Sequence, residues 1–400
     1  MTEWRKVKLG ELYEVHNGLS KGRQFFGSGY PFLSFSTVFN HWFLPEQLDS
    51  LVQSTEKERI ACSIKRGDVF ITRTSETMDE LGMSSVALKD YPDATYNGFT
   101  KRLRPITDEV LPEFIGYYLR SRKFRAKFMA FSSMTTRASL ANDDLLSMEV
   151  EVPEKSVQHR IAEVLSRYDA LIENYQRQIK LLEEAAQRLY KEWFVDLRFP
   201  GHQSTPIIDG IPQGWGKGIL NDIALETGKK VDKKYRDDYE CYLPIDCIPK
   251  HSLTYINPSD VSLAESSLVS FQENDIIFGA MRPYFHKVCF AQSTGLTRTT
   301  CFVLNSRNRI FREYLLMLLF DEATIKHATS ISVGTTMPYT RWKEFKSMAV
   351  LIPDNDIINK FGKRISLIIT ELKSLSIQIR NLSEARDRLL PKLMSAEIEV

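Results

Sequence analysis

The segment Ser147-Met-Glu-Val-Glu-Val-Pro-Glu154 recurs as Ser347-Met-Ala-Val-Leu-Ile-Pro-Asp354, and this recurrence decides how the chain folds. The two copies start 200 residues apart in a chain of 400 residues. Identical residues continue downstream at the same offset: Leu182 and Leu382, Glu184 and Glu384, Ala185 and Ala385, Arg188 and Arg388, Leu189 and Leu389. Near the starts of the halves the offset is 211, since Trp4 corresponds to Trp215. The sequence therefore indicates a tandem duplication with insertions inside the repeated unit.

Apolar residues follow each copy at steps of mostly three and four, which is the spacing of a coiled-coil seam. The predicted seam of the first half is Val157, Ile161, Val164, Tyr168, Leu171, Tyr175, Ile179, Leu182, Ala186, Leu189 and Trp193. The predicted seam of the second half is Ile358, Phe361, Ile365, Ile368, Leu372, Leu375, Ile379, Leu382, Ala385, Leu389 and Leu393. We predict two helices of about 40 residues, each needing a partner for its apolar stripe.

The rest of each half mixes short apolar runs with Gly, Pro, Asn and Asp, which is typical of strands and turns. Gly67-Asp68 and Asn274-Asp275 each predict a turn into a buried strand that ends at Arg73 or Arg282. The predicted fold class is α+β, with two α/β domains separated by two long helices. These helices are expected to form an antiparallel coiled coil with an internal pseudo-two-fold repeat. A parallel pair would need a return of roughly 60 Å within the second domain. The predicted segments are a first domain at 1–152, the first long helix at 153–199, a second domain at 200–352 and the second long helix at 353–400.

Composition excludes several classes of protein. Hydrophobic residues make up 43% of the chain and charged residues 26%, which is the balance of a globular chain and not of a disordered one. The sequence shows no apolar run long enough for a membrane span and no signal peptide, and its five cysteines form no CxxC pair. We therefore expect a cytoplasmic protein with reduced thiols and no membrane partner. The net charge of +2 means that nucleic-acid binding must come from local patches.

A search for catalytic motifs finds no phosphate-binding loop, no GxGxxG after a strand and no His-Glu-x2-His, and the seven histidines lack metal-ligand spacing. The sequence therefore predicts neither a catalytic site nor a metal site. Basic and hydroxyl-rich loops remain, which could contact phosphates and base edges. The DNA-binding candidates are Lys21, Arg23, Arg73, Thr74, Ser75, Lys101, Arg102, Arg137, Lys229, Lys230, Lys233, Arg282, Tyr284, Lys287, Arg298 and Arg341. Each cluster equally fits an ordinary solvated surface, because Lys and Arg are mostly exposed in any protein.

Over essentially all 400 residues, the chain resembles the specificity subunits of type I restriction-modification systems. The resemblance lies in Val152-Pro-Glu-x3-Gln158-x-Arg160-Ile-Ala-x-Val-Leu-x3-Asp169-x-Leu-Ile172 and in Leu189-Tyr-Lys-Glu-Trp-Phe194. The paired openings at Trp4 and Trp215 and the segment Gly67-Asp-Val-Phe-Ile71 also fit. The second helix departs from the first, with Asn359 and Lys360 in place of His159 and Arg160, so its docking face for a partner is expected to differ.

This resemblance implies two target recognition domains, each binding one half of a bipartite sequence in double-stranded DNA. It also implies two docked methyltransferase subunits and the recruitment of restriction subunits. No cofactor is expected in this chain, since S-adenosylmethionine, ATP and Mg would be bound by partner subunits. The chain would thus be a non-catalytic specificity subunit. Two alternatives stay open: a coiled-coil scaffold whose end domains bind proteins, and a stand-alone enzyme with an unrecognised site.

Overall fold

The structure, a computed structural model, describes residues 4–75, 81–131, 138–139 and 141–398. Its contacts divide the chain into two compact units. Unit 1 comprises Met1–Ala170 and Glu384–Val400, and unit 2 comprises Leu171–Ser383. Each unit thus contains the start of one long helix and the end of the other, whereas the sequence assigned each helix to a segment of its own.

Unit 1 is built from short strands and helices that precede the first long helix. The strands are Arg5–Lys8, Tyr13–Asn17, Phe26–Leu33, Ser50–Val52, Val69–Thr72, Thr74–Ser75, Ser84–Val86, Thr95–Tyr96, Thr100–Pro105, Ala138–Ser139 and Glu149–Val152. The α-helices are Leu9–Leu12, Phe35–Asn40, Glu56–Ala61, Pro112–Arg120, Arg122–Phe131 and Asn142–Ser147, with a 3-10 turn at Arg23–Phe25. The apolar runs at 112–119 and 311–318 predict amphipathic or buried helices, and the first of them is the helix Pro112–Arg120.

Two sheets organise unit 1. The first is antiparallel, in the order Tyr13–Asn17, Thr100–Pro105, Val69–Thr72, Ser84–Val86. The second has the order Ser50–Val52, Phe26–Leu33, Thr95–Tyr96, and its last pair is parallel. The strand Arg5–Lys8 pairs with Glu149–Val152, which brings the start of the domain to the strand that leads into the long helix.

Unit 2 has an equivalent set of elements. The strands are Ile207–Ile208, Ile211–Pro212, Gly216–Ile219, Ala224–Glu226, Lys229–Val231, Cys241–Tyr242, Leu268–Phe271, Ile276–Gly279, Val288–Phe290, Gly295–Arg298, Cys301–Ser306 and Ala349–Ile352. The α-helices are Leu220–Ile223, Arg312–Phe320, Glu322–Ser330 and Trp342–Phe345. The 3-10 turns are His202–Ser204, Lys233–Asp238, Ile245–Cys247, Val261–Leu263, Pro283–Phe285 and Arg309–Phe311.

The first sheet of unit 2 repeats that of unit 1, whereas the second has four strands in place of three. One antiparallel sheet has the order Ala224–Glu226, Cys301–Ser306, Ile276–Gly279, Val288–Phe290. The other has the order Lys229–Val231, Leu268–Phe271, Gly295–Arg298, Cys241–Tyr242, again with a parallel last pair. Gly216–Ile219 pairs with Ala349–Ile352, as the first and last strands do in unit 1. The internal repeat predicted from the sequence is therefore present in the fold of each unit.

The same aspartate turn leads into the central strand of both units. Gly67 and Asn274 have φ of +89° and +70°, a region that glycine enters freely and asparagine tolerates. Asp68 is fully buried and accepts hydrogen bonds from Arg104 Nη2 and the Lys65 backbone, both at 2.7 Å. In unit 2 the equivalent carboxylate accepts from the side chain of Asn305 at 2.8 Å instead. The predicted turn and strand are thus confirmed, although each strand ends before its arginine.

The long helices are Lys155–Tyr190, extended by a π-helical turn at Lys191–Val195, and Asn355–Met394. Buried residues recur along them every seven positions, which is the repeat of a coiled coil. In the first helix these residues are Gln158, Leu165, Ile172, Ile179, Ala186 and Trp193. In the second helix they are Ile358, Ile365, Leu372, Ile379 and Leu393, with the partly buried Arg386 at the remaining position.

Two predicted seam residues are wrong. Leu171 is 43% exposed, and the adjacent Ile172 is buried in its place. Ala385 is exposed, and the seam position belongs to Arg386. Both errors have one cause: neighbouring residues satisfy a three-four spacing equally well, and the seven-residue row selects between them.

The long helices run antiparallel within each unit. In unit 1 the start of the first helix contacts the end of the second, where Arg386 Nη1 binds Asp169 Oδ1 at 2.6 Å. In unit 2 the end of the first helix contacts the start of the second, where Trp193 packs on Phe361 at 5.7 Å between ring centroids. These contacts confirm the predicted orientation. No helix in the described part of the chain is long and apolar enough to cross a membrane.

Candidate DNA-recognition surface

In both units the loop after the central strand pairs with a loop that follows a Thr-Thr sequence, which recurs as Thr135-Thr136 and Thr335-Thr336. In unit 1, Thr74 and Ser75 pair with Ser139 and Ala138 in a short antiparallel ladder. In unit 2, Met281 forms a bridge with Tyr339, and Arg282 N–H donates to Pro338 O at 2.7 Å. The paired positions 138–139 and 338–339 are 200 residues apart. The duplication therefore preserves a contact between two loops that carry or adjoin predicted DNA-binding residues.

The loop pair of unit 2 presents basic and aromatic side chains together. Arg282 has a left-handed backbone, with φ of +50°, and its Nη2 donates to Thr336 O at 3.3 Å. Tyr284, in the following 3-10 turn, is 47% exposed. Arg341 is exposed beyond the Thr-Thr loop. This surface has the charge and the stacking face that a nucleic-acid contact requires.

A second basic group lies on the other sheet of unit 2. Lys229 and Lys230 are exposed on its edge strand. The register places Val231 opposite Leu268, and Leu268 opposite Arg298. Two strand spacings put the Arg298 backbone about 10 Å from the lysine strand. Three of the predicted residues are thus neighbours on one sheet.

Two further candidates of unit 2 have partners inside the protein. Lys233 forms an ion pair with Glu265 at the surface. Lys287 is partly buried and donates to Ile245 O at 2.7 Å. These two lysines therefore stabilise the loops that carry the exposed candidates.

The candidates of unit 1 divide by exposure. Arg23 is exposed, and Arg73 is partly exposed with Nη1 at 3.3 Å from Asn17 Oδ1. Lys21 Nζ lies 2.8 Å from Glu58, and this hydrogen bond, together with the Thr55 N–H, lowers the pKa of the Glu58 carboxyl. Arg137 lies outside the described residues, and the side chains of Thr74 and Ser75 are not described.

Lys101 and Arg102 lie in the interior of the central sheet. They are 4% and 2% exposed, respectively. Arg102 Nη1 donates to Ser63 O at 2.7 Å, and its guanidinium faces the Tyr96 ring at 5.5 Å. Both side chains are therefore buried among other parts of the domain. The run of basic residues at 101–104 does not reveal this burial, because burial depends on contacts distant in the sequence.

Sequence reasoning missed an exposed aromatic group in unit 1. Phe25, Phe26 and Tyr30 are 38–40% exposed, and Phe99 is 59% exposed. Arg59 stacks on the Tyr30 ring at 3.8 Å. Three of these aromatics lie in the short run Phe25-Phe-Gly-Ser-Gly-Tyr30, and aromatic residues between glycines were the signal available.

Sequence reasoning also missed a cluster of potential metal ligands in unit 2. One ligand atom from each of His251, His286 and Glu322 lies within 4.8 Å of the other two. His286 is 3% exposed, and its Nδ1 lies 3.1 Å from Glu322 Oε1. The three residues come from a loop, a 3-10 turn and a helix that are far apart in the chain, so no sequence spacing could reveal them.

The strands and short helices of unit 1 are fixed to both long helices through one carboxylate. Asp169 Oδ2 accepts from Tyr117 OH at 2.5 Å, while its Oδ1 accepts from Arg386. The Arg386 guanidinium also faces the Trp42 ring at 4.9 Å. At the start of the first helix, the buried Gln158 amide binds Leu111 N, Glu109 O and Pro153 O.

The domain of unit 2 is fixed differently. Glu183, 6% exposed on the first long helix, accepts from Ser252 Oγ and Leu253 N, both at 2.7 Å. Burial raises the pKa of the Glu183 carboxyl to about 7, and these hydrogen bonds only partly oppose the shift. From the second helix, Ser376 Oγ lies 2.9 Å from Thr254 Oγ1. The loop that begins at Ser252 is thus bound by both helices.

Comparison with known proteins agrees with this architecture. Residues 1–184 match the sequence model of a family described as the type I restriction modification DNA specificity domain. The MjaIX specificity subunit of a type I restriction enzyme from Methanocaldococcus jannaschii is 25% identical over 425 residues, covering 100% of this chain and 94% of the relative. The HindI specificity subunit of Haemophilus influenzae is 22% identical and covers 100% of both chains.

A solved structure has the same fold. The crystal structure of the type I restriction-modification S subunit from M. genitalium superposes with a TM-score of 0.59 at 16% sequence identity. The match covers 98% of this chain and 96% of the other. On its N-terminal specificity domain and its full-length relatives, this chain is similar over its whole length to the specificity subunits of type I restriction-modification systems.

Proposed function

We propose that this chain recognises a bipartite sequence in double-stranded DNA, with one half of the target read by each recognition domain. The observation that carries the proposal is the loop pairing that occurs once in each unit, at Thr74–Ser75 and at Met281–Arg282. Two equivalent reading surfaces on one duplicated chain suit a target with two separate halves. Arg282 and Tyr284 would contact bases, and Lys229 and Lys230 would contact phosphates.

We propose further that the long helices dock methyltransferase subunits, and that restriction subunits join the resulting complex. Leu181 and Leu367 support a docking face, because they are 59% and 73% exposed on the two helices. Large apolar side chains that remain exposed on a helix whose seam is already filled are suited to a protein interface. Catalysis, with S-adenosylmethionine, ATP and Mg, would then belong to those partners, and this chain would supply sequence recognition alone.

The scaffold hypothesis and the DNA-recognition hypothesis differ in what the recognition domains bind. A scaffold would bind proteins through apolar contacts with little dependence on salt, whereas phosphate contacts weaken steeply as salt increases. The loop pair of unit 2 favours DNA, since the basic side chains of Arg282 and Arg341 lie there with the exposed Tyr284.

The test is long-read sequencing of methylated bases in cells that carry the gene intact, deleted or with a single substitution. Deletion is expected to abolish methylation of one bipartite motif. Arg73→Ala should relax or erase recognition of one half of the motif, and Arg282→Ala should affect the other half. Arg388→Ala, on an arginine that is 82% exposed on the second long helix, is the matched control and should leave the motif intact.

Two results would overturn the proposal. The first is a methylome that does not change when the gene is deleted, although the methyltransferase subunit is expressed and active. This result would contradict the proposed recognition role. If Arg73→Ala and Arg282→Ala relax the same half of the motif, the assignment of one half to each domain is wrong.

Docking is tested separately by co-purification with the cognate methyltransferase subunit. Leu367→Glu should reduce the amount of that subunit retained by at least about tenfold, because a charge would be buried at the interface. Ile60→Glu, at a residue that is 71% exposed in unit 1 and away from the long helices, should retain it fully. Equal retention by both variants would exclude this helix face.

A further inference from the structure

The cluster of His251, His286 and Glu322 has the dimensions of a metal site. Glu322 Oε1 lies 3.1 Å from His286 Nδ1 and 3.7 Å from His251 Nδ1. In a tetrahedral zinc site with bonds of about 2.0–2.1 Å, neighbouring ligand atoms are about 3.4 Å apart. The side chains of His251 and Glu322 are each 61% exposed, so they are free to move until all three ligand atoms, which lie within 4.8 Å of one another, reach this spacing.

The His286 ring is already oriented as a ligand. Its Nε2 lies 2.8 Å from Phe320 O, and because a carbonyl oxygen only accepts, Nε2 carries the proton. In the neutral ring Nδ1 then has a free lone pair, which faces the carboxylate oxygen of Glu322. Two acceptors at this distance require a proton or a cation between them. A ring nitrogen bound to a backbone carbonyl is the arrangement that supports a metal-bound histidine.

The backbone holds the two histidines side by side. His251 and His286 both have left-handed conformations, with φ of +53° and +51°. The His251 N–H donates to His286 O at 2.9 Å, and the ring centroids are 4.5 Å apart. Non-glycine residues adopt this conformation infrequently, and here it occurs at both histidines of one cluster.

We propose that His251, His286 and Glu322 bind one divalent transition-metal ion, with zinc as the ion best suited to two imidazoles and one carboxylate. Three protein ligands leave a fourth position for water. The ion would connect three segments of unit 2: the loop before Ser252, the turn Pro283–Phe285 and the helix Glu322–Ser330. It would thereby stabilise the loop that binds Glu183 and the turn that carries Arg282 and Tyr284.

The experiment uses the full chain, freed of metal with EDTA and titrated with zinc chloride and, separately, with cobalt chloride. We expect one equivalent of zinc to bind, a rise of several degrees in Tm, and visible cobalt bands typical of four-coordinate nitrogen and oxygen ligation. His251→Ala and Glu322→Gln change exposed side chains and should fold normally. Each should weaken zinc binding by at least about tenfold, whereas His41→Ala, at an exposed histidine of unit 1, should not.

Binding that matches these expectations supports the site whether or not the chain reads DNA, because the readout is metal stoichiometry and Tm. The proposal is overturned if the wild-type chain binds no zinc above background. It is equally overturned if His251→Ala and Glu322→Gln retain the wild-type affinity, since zinc would then be bound elsewhere.

Discussion

Arg386 of the second long helix donates from Nη1 to Asp169 Oδ1 of the first at 2.6 Å, at a seam position otherwise occupied by apolar residues. The same carboxylate accepts from Tyr117 of the recognition domain at 2.5 Å. A polar residue at one seam position of a coiled coil fixes the register of the helices at some cost in stability. In unit 1 this pair therefore sets the register and joins both helices to the domain.

Removing Arg386 should destabilise unit 1 more than removal of a surface charge would. Arg386→Met leaves the Asp169 carboxylate without its cation. The Asp169 side chain is only 26% exposed, so water replaces the lost partner poorly. Loss of one partner from a largely buried pair costs about 2–4 kcal/mol of the free energy of unfolding, once partial exposure is allowed for.

The measurement is urea denaturation followed by circular dichroism. Arg388→Ala, which breaks an exposed pair with Glu384, should change the free energy of unfolding by less than about 0.5 kcal/mol. Equal effects would show that Arg386 does not fix the register.

Glu183 should make unit 2 less stable as the pH rises. The pKa of its carboxyl in the folded chain is about 7, above the ordinary value of 4.5, so the folded state binds more protons between these values. The contribution of this carboxyl to the free energy of unfolding is therefore largest below about pH 4.5. It decreases as the pH rises and is lost above about pH 7. At 1.36 kcal/mol for each pH unit, the full effect is on the order of 3 kcal/mol.

The variant Glu183→Gln tests this dependence. Its amide oxygen can still accept from Ser252 and Leu253 N, but it carries no charge to desolvate. We expect the variant to be more stable than the wild type at pH 8 and nearly equal to it at pH 5, as measured by Tm. Glu184→Gln, at the neighbouring, less buried residue, should show no such difference. A Glu183→Gln variant that is less stable at pH 8 would contradict the assignment.

The two aspartate turns should respond unequally to loss of their partners. Arg104→Ala leaves the fully buried Asp68 carboxylate without a cation, which costs about 3–5 kcal/mol. Asn305→Ala removes one hydrogen bond with a neutral donor from Asp275, at a cost of about 1–3 kcal/mol. Each variant controls for the other, because the turn geometry is the same. Thermal unfolding with limited proteolysis would measure both, and an equal loss would contradict the charge argument.

The sequence predicted much of the fold because duplication and periodicity are local signals. It located the strand after Asp68, the helix Pro112–Arg120 and the starts of both long helices within two residues of the predicted segments. It could not choose between Leu171 and Ile172, since both satisfy the helical spacing. That choice depends on which face the partner helix covers.

The candidate sites were harder to predict because burial and long-range proximity are not local. Arg102 lies in the interior and Arg298 at the surface, although both are arginines in short strands. The cluster around His286 joins residues from a loop, a turn and a helix that are distant in the sequence. The seam position of Arg386 was missed because the search counted apolar residues only.

The lysines of the edge strand should affect DNA binding without affecting sequence preference. Lys229→Ala with Lys230→Ala removes two exposed charges from an edge strand that is two strand spacings from Arg298. Each lost phosphate contact lowers the slope of log affinity against log salt by about 0.9, so the double variant should lose about 1.8. The affinity for a duplex with the target sequence and the affinity for a random duplex should decrease by the same factor.

The measurement is fluorescence anisotropy over a salt series with the assembled complex. Lys180→Ala, at an exposed lysine of the first long helix, is the control and should leave the slope unchanged. A loss confined to the specific duplex would instead make these lysines base readers, because phosphate contacts act on every sequence alike.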